Sequence, residues 1–361
     1  MARDYHTDPE KKPYRFIPLA DHVERKEPVG HHKMREGRWY GWLNLTFVAE
    51  SPLHVASGLI VHRDDLAPHI GVDIDPDNDD LLILSHVRRG GRRYIPGTSL
   101  KGVVRSVVEA ITFSCLSHID TRKVDKAAEK HDKRLEVLRE TCSKKAEETD
   151  LCPACSLFGA LGYAGRVNFR DAFQIAGGGR IARRPVTHPP QPDRSQANKH
   201  RTQGIIYYTS ANRKQLRGRK FYLHGEQPVD ATRKYEAIEV CKKGSQFQGG
   251  VDIEGLSDAE LGLLLKSLGA TQEFRLKIGG SKPFGYGSLA TRNVAVHLTQ
   301  HPLNAYQDYH NASPEVDKEG QVDILTQGLQ ALQESDLLRQ DAWDRLIELM
   351  KMRLISLDGR Y

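Results

Sequence analysis

Cys115, Cys142, Cys152 and Cys155 fall in one stretch of the chain, with Cys241 standing apart. The turn Cys152-Pro153-Ala154-Cys155 holds two thiolates on one side of a tetrahedral ion, and zinc then needs two more soft or imidazole ligands from nearby chain. Cys142 is one; Cys115, His118 and His131 are candidates for the other, Cys115 preferred for its softness and His118 its rival. Four protein ligands leave no place for water, so such a site is structural; buried thiols without metal are the plainer reading. A second constellation is a pair of glycine-rich turns, Pro96 to Gly102 and Gly279 to Gly287, each with a lysine (Lys101, Lys282). Glycine lets backbone amides approach a phosphate, and a helix N-terminus adds a favourable dipole. Neither turn ends in Gly-Lys-Ser/Thr, so neither is a Walker loop, and each alone is explained by ordinary turn chemistry. A third is the acidic loop from His62 to Asp80, with Asp64, Asp65, Asp73, Asp75, Asp77, Asp79 and Asp80. Its bland reading is a solvated surface loop, but carboxylates so placed repel phosphate and can hold a divalent cation. His54, His62, His69 and His86 lie near it and could act as general acid or base, yet in a chain of 16 histidines such proximity is expected by chance. No Ser-His-Asp or Gly-x-Ser-x-Gly arrangement suggests acyl transfer.

The elements that must position these groups are read from pattern. Residues 1–37, proline-rich and charged, read as an arm with one apolar anchor, Tyr14-Arg15-Phe16-Ile17-Pro18-Leu19. Trp39 to Val48 alternates as a first core strand, and Leu81 to Leu84 is a short one. Thr98 or Ser99 is expected to cap a helix whose apolar face is Val103, Val104, Val107, Val108 and Ile111. A charged helical insert spans Thr121 to Asp150. Gly165 to Ala172 reads as a strand, as do Ile205 to Tyr208 and Lys220 to His224. Arg180 to about Gln203, rich in Pro, Arg and His, is too polar for a core and reads as a basic arm or hairpin, or as an unstructured loop. Ser257 to Leu268 is a capped helix, Phe274 to Ile278 leads into the second glycine turn, and Ser288-Leu289-Ala290 follows it. Ile324 to Ile355 has mixed helical spacing that fits core packing or, preferably, docking to a neighbour.

The 361 residues allow a sizeable core. With 53 basic against 47 acidic side chains, the net charge of +6 fits an anionic partner without demanding one. No apolar run approaches a membrane span and the start lacks a signal-peptide core, so a cytoplasmic protein with no membrane partner is expected. An odd cysteine count in that compartment argues for metal or burial over disulfides.

Four motifs in order resemble the RAMP superfamily, the RNA-binding proteins of CRISPR effector complexes. They are Leu53 to Gly58; Tyr94 to Arg105; Leu157-Phe158-Gly159 with Gly165 to Ala172; and Gly279-Gly280 with Gly285-Tyr286-Gly287. The order is similar to that of type III backbone subunits, and Tyr14 to Leu19 with Leu216 to Tyr222 resembles the III-D branch. What the resemblance implies is an α+β fold: an RRM-like (ferredoxin-like) core over residues 38–300, with a zinc-binding insert at about 115–156 and a thumb-like hairpin at about 180–204. A C-terminal linker and helical extension at 301–361 lies largely beyond it. It implies a subunit that binds guide RNA (crRNA), pairs it with target RNA and stacks with other effector subunits. Ser99, Lys101, Arg105, Arg166, Arg183, Arg184, Gly279, Gly280, Lys282 and Tyr286 would contact RNA. Zinc would be structural, on Cys115, Cys142, Cys152 and Cys155. Target RNA would be cut by an aspartate of the acidic loop, Asp80 or its neighbour Asp79, by activating the 2′-hydroxyl or through Mg2+ or another divalent cation. The alternatives are a subunit that binds without cutting and, more distantly, a stand-alone endoribonuclease that processes guide RNA.

Overall fold

The computed structural model describes residues 13–66, 72–73, 82–116, 132–142, 150–185, 215–225, 235–303 and 318–352. The first half runs β1 (Tyr14–Ile17), β2 (Trp39–Ala49), β3 (Ala56–His62), α1 (Arg63–Leu66), β4 (Val72–Asp73), β5 (Leu82–His86), β6 (Arg88–Arg89), β7 (Arg92–Ile95) and α2 (Gly97–Ile111). Then come α3 (Arg134–Leu138), α4 (Pro153–Phe158), β8 (Val167–Phe169), β9 (Ala172–Ala176), β10 (Gly179–Pro185), β11 (Arg219–Tyr222) and β12 (Tyr235–Cys241). The rest is β13 (Gln246–Leu256), α5 (Asp258–Ser267), β14 (Leu276–Lys277), β15 (Ser288–Thr299), α6 (Lys318–Gln333) and α7 (Gln340–Met350).

The mixed α+β class expected from the sequence holds. An eight-stranded sheet has the order β14-β15-β2-β13-β9-β7-β6, with β8 also pairing β13. Within it the chain runs β2, α2, β9, β13, α5, β15, and the four strands lie side by side as β15-β2-β13-β9, each antiparallel to its neighbour. Strand alternation sends Leu43, Leu45, Phe47 and Ala49 of β2 inward, where they share one buried cluster with Leu100, Val104 and Val108 of α2 and Leu261 and Leu264 of α5. A second sheet, β3-β5-β12-β10-β4, and the β1-β11 pair flank it.

Several expectations are corrected. The helix after the first glycine turn starts at Gly97, with Pro96 before it and no side-chain cap, so Thr98 and Ser99 lie inside its first turn. Gly165 to Ala172 is not one strand: Arg170 and Asp171 break it between β8 and β9. No element is expected from the pattern of residues 235–256, yet β12 lies between β5 and β10 inside the second sheet and β13 between β2 and β9 inside the first. The polar, glycine-containing Gln246 to Gly250 has low strand propensity, and pairing on both sides overrides it. Ser257 does cap α5, in a capping box with Glu260. The C-terminal pattern forms two helices, and Leu332, Trp343, Leu346 and Met350 are buried in the main core, so this face packs internally. Gly262 of α5 and Gly328 of α6 meet so closely that a Cβ on Gly262 would lie 2.0 Å from the Gly328 carbonyl oxygen. Among the described residues no helix is long and apolar enough to cross a membrane.

Candidate functional site

The two lysine-bearing turns open onto one groove of about 580 Å³. One wall is α2, which presents Ser99, Gly102, Val103 and Ser106 at helical spacing. The other is the second turn, Gly279, Gly280 and Lys282, reached through β14. β11 adds Arg219 and Lys220, and Arg275 and Lys277 complete a lining that holds five cationic and no acidic side chains. Burial, and then the neighbouring Lys282, bring the Lys277 ammonium down to about 7; it donates to the Gly285 carbonyl (2.8 Å) and the Ser288 hydroxyl (3.2 Å). Burial, with Lys220 nearby, also lowers Lys282, whose ammonium donates to the Gly279 carbonyl at 2.9 Å. Glu50 pairs with Arg275 at 2.9 Å and Glu109 with Arg219 from outside the groove.

Several amides of the turns are already engaged within the fold. The Gly280 N–H donates to the His54 carbonyl (3.2 Å), the Gly97 N–H to the Asp171 carboxylate (2.8 Å), and the Ser99 N–H to the Pro96 carbonyl (2.9 Å). Gly279 has φ +93°, and a Cβ there would sit 2.3 Å from the His54 carbonyl oxygen, so glycine is needed for close approach of two backbones. The positive character of the groove comes from side chains.

The expected RNA contacts divide. Ser99, Gly279, Gly280 and Lys282 line the groove, and Arg184 reaches the same turn, 3.2 Å from the Ser281 hydroxyl and paired with Glu236. Tyr286 sits beside Arg180 and Arg184, its hydroxyl raised by burial. Arg183 is exposed on β10. Lys101 and Arg105 are on the other side of α2 from Ser99, Gly102 and Ser106. Arg105 pairs with Glu109 (2.8 Å) and donates to the Gly159 carbonyl (3.0 Å) and the Cys155 sulfur (3.4 Å), so it faces the cysteines, not the groove. Arg166 is 1% exposed and pairs with Glu260 (3.0 Å) while donating to Ser156 Oγ (2.8 Å) and the Gly255 carbonyl (2.9 Å), a structural clamp. The residues missed in the sequence are Arg219, Lys220, Arg275 and Lys277. Their signal is faint: cations beside apolar residues in and next to short strands, which reads as ordinary strand patterning.

Cys115, Cys142, Cys152 and Cys155 lie buried with all four sulfurs within 4.8 Å of one another. Cys115 is 3.7 Å from Cys155 and 3.6 Å from Cys152, close to the edge of about 3.8 Å in a tetrahedral zinc–thiolate site. Mutual hydrogen bonds pull Cys152 down to about 7 and Cys142 below the usual thiol range, while Cys115 and Cys155 are pushed above it. Four such thiols ionise together only around a cation, and Arg105 and Arg25 border them, Arg25 hydrogen-bonded to Cys142. The donor set therefore fits a metal, and Cys115 completes it without a histidine; His118 and His131 lie outside the described residues. The cluster joins the end of α2 to α4 and closes the base of the insert. Cys241 is a separate buried thiol, raised to about 12 by desolvation.

Of the acidic loop, Asp64 and Asp65 are exposed on α1, whereas Asp79 and Asp80 lie outside the described residues, as do residues 186–204 of the segment expected to form the basic arm or hairpin. β10, which ends at Pro185 just before that segment, pairs antiparallel with β12. His54 and His86 are buried and held below the usual imidazole range by desolvation, His86 to about 3. His54 hydrogen-bonds the Glu239 carbonyl and His86 the Val87 carbonyl, which suits core histidines better than acid–base catalysts.

No curated protein matches the chain. Among solved structures, a chain of the cryo-EM structure of the Type III-B Cmr-beta bound to cognate target RNA aligns at 13% identity and a TM-score of 0.35. The alignment covers 71% of this chain and 60% of that one. The sequence model of the RAMP superfamily matches residues 46–290, a span holding all four ordered motifs, both glycine turns and the cysteine cluster. The chain belongs to the RAMP superfamily.

Proposed function

We propose that this chain is a guide-RNA-binding backbone subunit of a type III CRISPR ribonucleoprotein. The observation that carries the reading is the convergence of the two lysine-bearing turns on one groove lined by Arg219, Lys220, Arg275, Lys277 and Lys282. A lining of cations with no carboxylate among them, two of its guanidiniums paired with Glu50 and Glu109 from outside, suits a ribose-phosphate strand, whose binding is dominated by charge. The contacts we assign to the guide are Ser99, Lys220, Lys277, Lys282 and Arg184; Lys101, Arg105 and Arg166 drop out of the set because of where their side chains point. An RRM-like core is supported by the chain order β2, α2, β9, β13, α5, β15 and the spatial order β15-β2-β13-β9, the arrangement of a ferredoxin-like βαββαβ unit. Zinc on the four cysteines is a structural ion that fixes the insert. The hairpin leaving β10 is the thumb, and neighbouring effector subunits and target RNA are the further partners.

The decisive experiment is purification of the assembled complex carrying Lys220→Ala and Lys282→Ala, with the bound guide quantified against wild type. Loss of guide with the subunit still folded supports the reading; full guide occupancy rejects it. Target cleavage is assigned to Asp80, with Asp79 its rival. Alanine at both should abolish cuts opposite this subunit while assembly persists, and unchanged cutting would favour the binding-only subunit.

A further inference from the structure

Lys220 is held in the groove by ring faces. Around it, Arg275 and Arg219 are paired with carboxylates, Glu50 (2.9 Å) and Glu109, while Lys277 and Lys282 donate to backbone carbonyls. The Lys220 ammonium lies over two aromatic rings, 4.7 Å from the centre of Tyr14 and 4.9 Å from that of Tyr222. The two rings meet edge to face at 5.8 Å and 75°.

The placement follows from strand register. β1 and β11 pair antiparallel with Tyr14 opposite Tyr222 and Phe16 opposite Lys220, so alternation sets these side chains on one face of the ribbon. The other face packs Ile17 and Phe221 against the main core, and the Leu223 N–H donates to the Pro13 carbonyl (2.8 Å), which fixes the ribbon to the fold. Phe16 meets the Tyr14 ring edge to face at 5.8 Å, and Tyr14 is 1% exposed, so its ring is locked by packing. Lys220 itself is exposed. Tyr14 lies outside residues 46–290, the span that carries the family, whereas Lys220 lies within it.

What holds a cation decides how much charge it offers. A carboxylate partner offsets the charge and must be displaced or screened before a phosphate is met, whereas a ring face attracts an ammonium while remaining neutral. The rings also restrict a long, flexible aliphatic stem and oppose repulsion inside a crowded cationic groove, where burial, and then Lys220, lower the Lys282 ammonium. We propose that Tyr14, with Tyr222, is a positioning residue for RNA binding: the two rings hold the Lys220 ammonium where the ribose-phosphate strand passes without cancelling its charge, a role that rests on the guide-strand reading of the groove. The N-terminal arm thereby takes part in the groove without lining it.

The test is a mutant cycle. The full chain is titrated with a fluorescent single-stranded RNA of about ten nucleotides at several salt concentrations. Tyr14→Leu should weaken binding about three- to fivefold and lower the slope of log affinity against log salt toward that of Lys220→Ala. Tyr14→Phe, which keeps the ring face, should restore both. In a chain that already carries Lys220→Ala, Tyr14→Leu should cost nothing more. Tyr222→Leu, at a half-buried ring, repeats the cycle without altering the buried position, and circular dichroism verifies the fold of each variant. Unchanged affinity in both leucine variants, a folded Tyr14→Phe that binds as weakly as Tyr14→Leu, or losses that persist in the Lys220→Ala background overturn the inference while leaving the groove reading intact. Full binding by Lys220→Ala with Lys282→Ala would reject the groove itself, and with it the role of Tyr14.

Discussion

Lys277 is the groove residue whose charge is poised to change. Its ammonium is held at about 7 by burial against an unfolded value of about 10.4, so between those two values the folded chain binds fewer protons than the unfolded one. Stability contributed by Lys277 therefore rises as pH climbs from about 7 to about 10, and is flat below 7. Melting temperatures measured across that range should show the rise in the wild type and lose it in Lys277→Met. RNA has the opposite preference: a phosphate in the groove favours the ammonium, so binding takes up a proton and affinity falls as pH rises through 7. Fluorescence titrations at several pH values should show this slope, and Lys277→Met should flatten it. Arg166 shows the other fate of a charge. Its removal leaves Glu260 with its capping-box bond and the longer Arg38 pair (3.4 Å) but without its closest partner, at a cost of about 3 kcal/mol in denaturant unfolding for Arg166→Met. Glu260→Gln in the same chain should recover part of that loss.

At the scale of elements, two joints hold the helical layer and the insert. The crossing of α5 and α6 has no room for a methyl group at Gly262, so Gly262→Ala must push the α6 backbone away and lower stability by about 1–3 kcal/mol, read as an earlier thermal transition. The cysteine cluster links the end of α2 to α4, and Arg105 ties the same two helices by way of Glu109 and Cys155. Metal analysis of the purified chain should find about one zinc per molecule, and Cys152→Ser or a strong chelator should release it and lower the melting temperature by roughly 5–10 °C. A chain without bound metal that melts unchanged in chelator would leave the four thiols as core packing.

For the molecule as a whole, the modest excess of basic side chains matters less than its placement. Five cations share one groove, while the acidic side chains Asp64 and Asp65 project from α1 on a different sheet. If the groove carries the guide, the slope of log affinity for single-stranded RNA against log salt should fall by about 0.7 for each phosphate contact removed, first with Lys282→Ala and then with Lys220→Ala. A slope unchanged in the double variant would mean that the groove does not hold the strand.

Much of this was legible in the sequence, because local rules bind there. The Ser257 capping box, the alternation of β2 and the CxxC turn each depend on neighbours a few residues apart. Ordered motifs over residues 46–290 carried the family as well. The tertiary structure alone decided which cations share a surface. A helix phase separates Lys101 from Ser99 by about half a turn of α2 and Arg105 by about a third, and no residue type reveals which side faces the groove. Lys277, Arg275 and Lys220 come together from strands far apart in the chain, and β13 gains its central place from partners on both edges, not from its own Gln- and Gly-containing composition. Periodicity gives the faces of an element, but only packing says what each face meets.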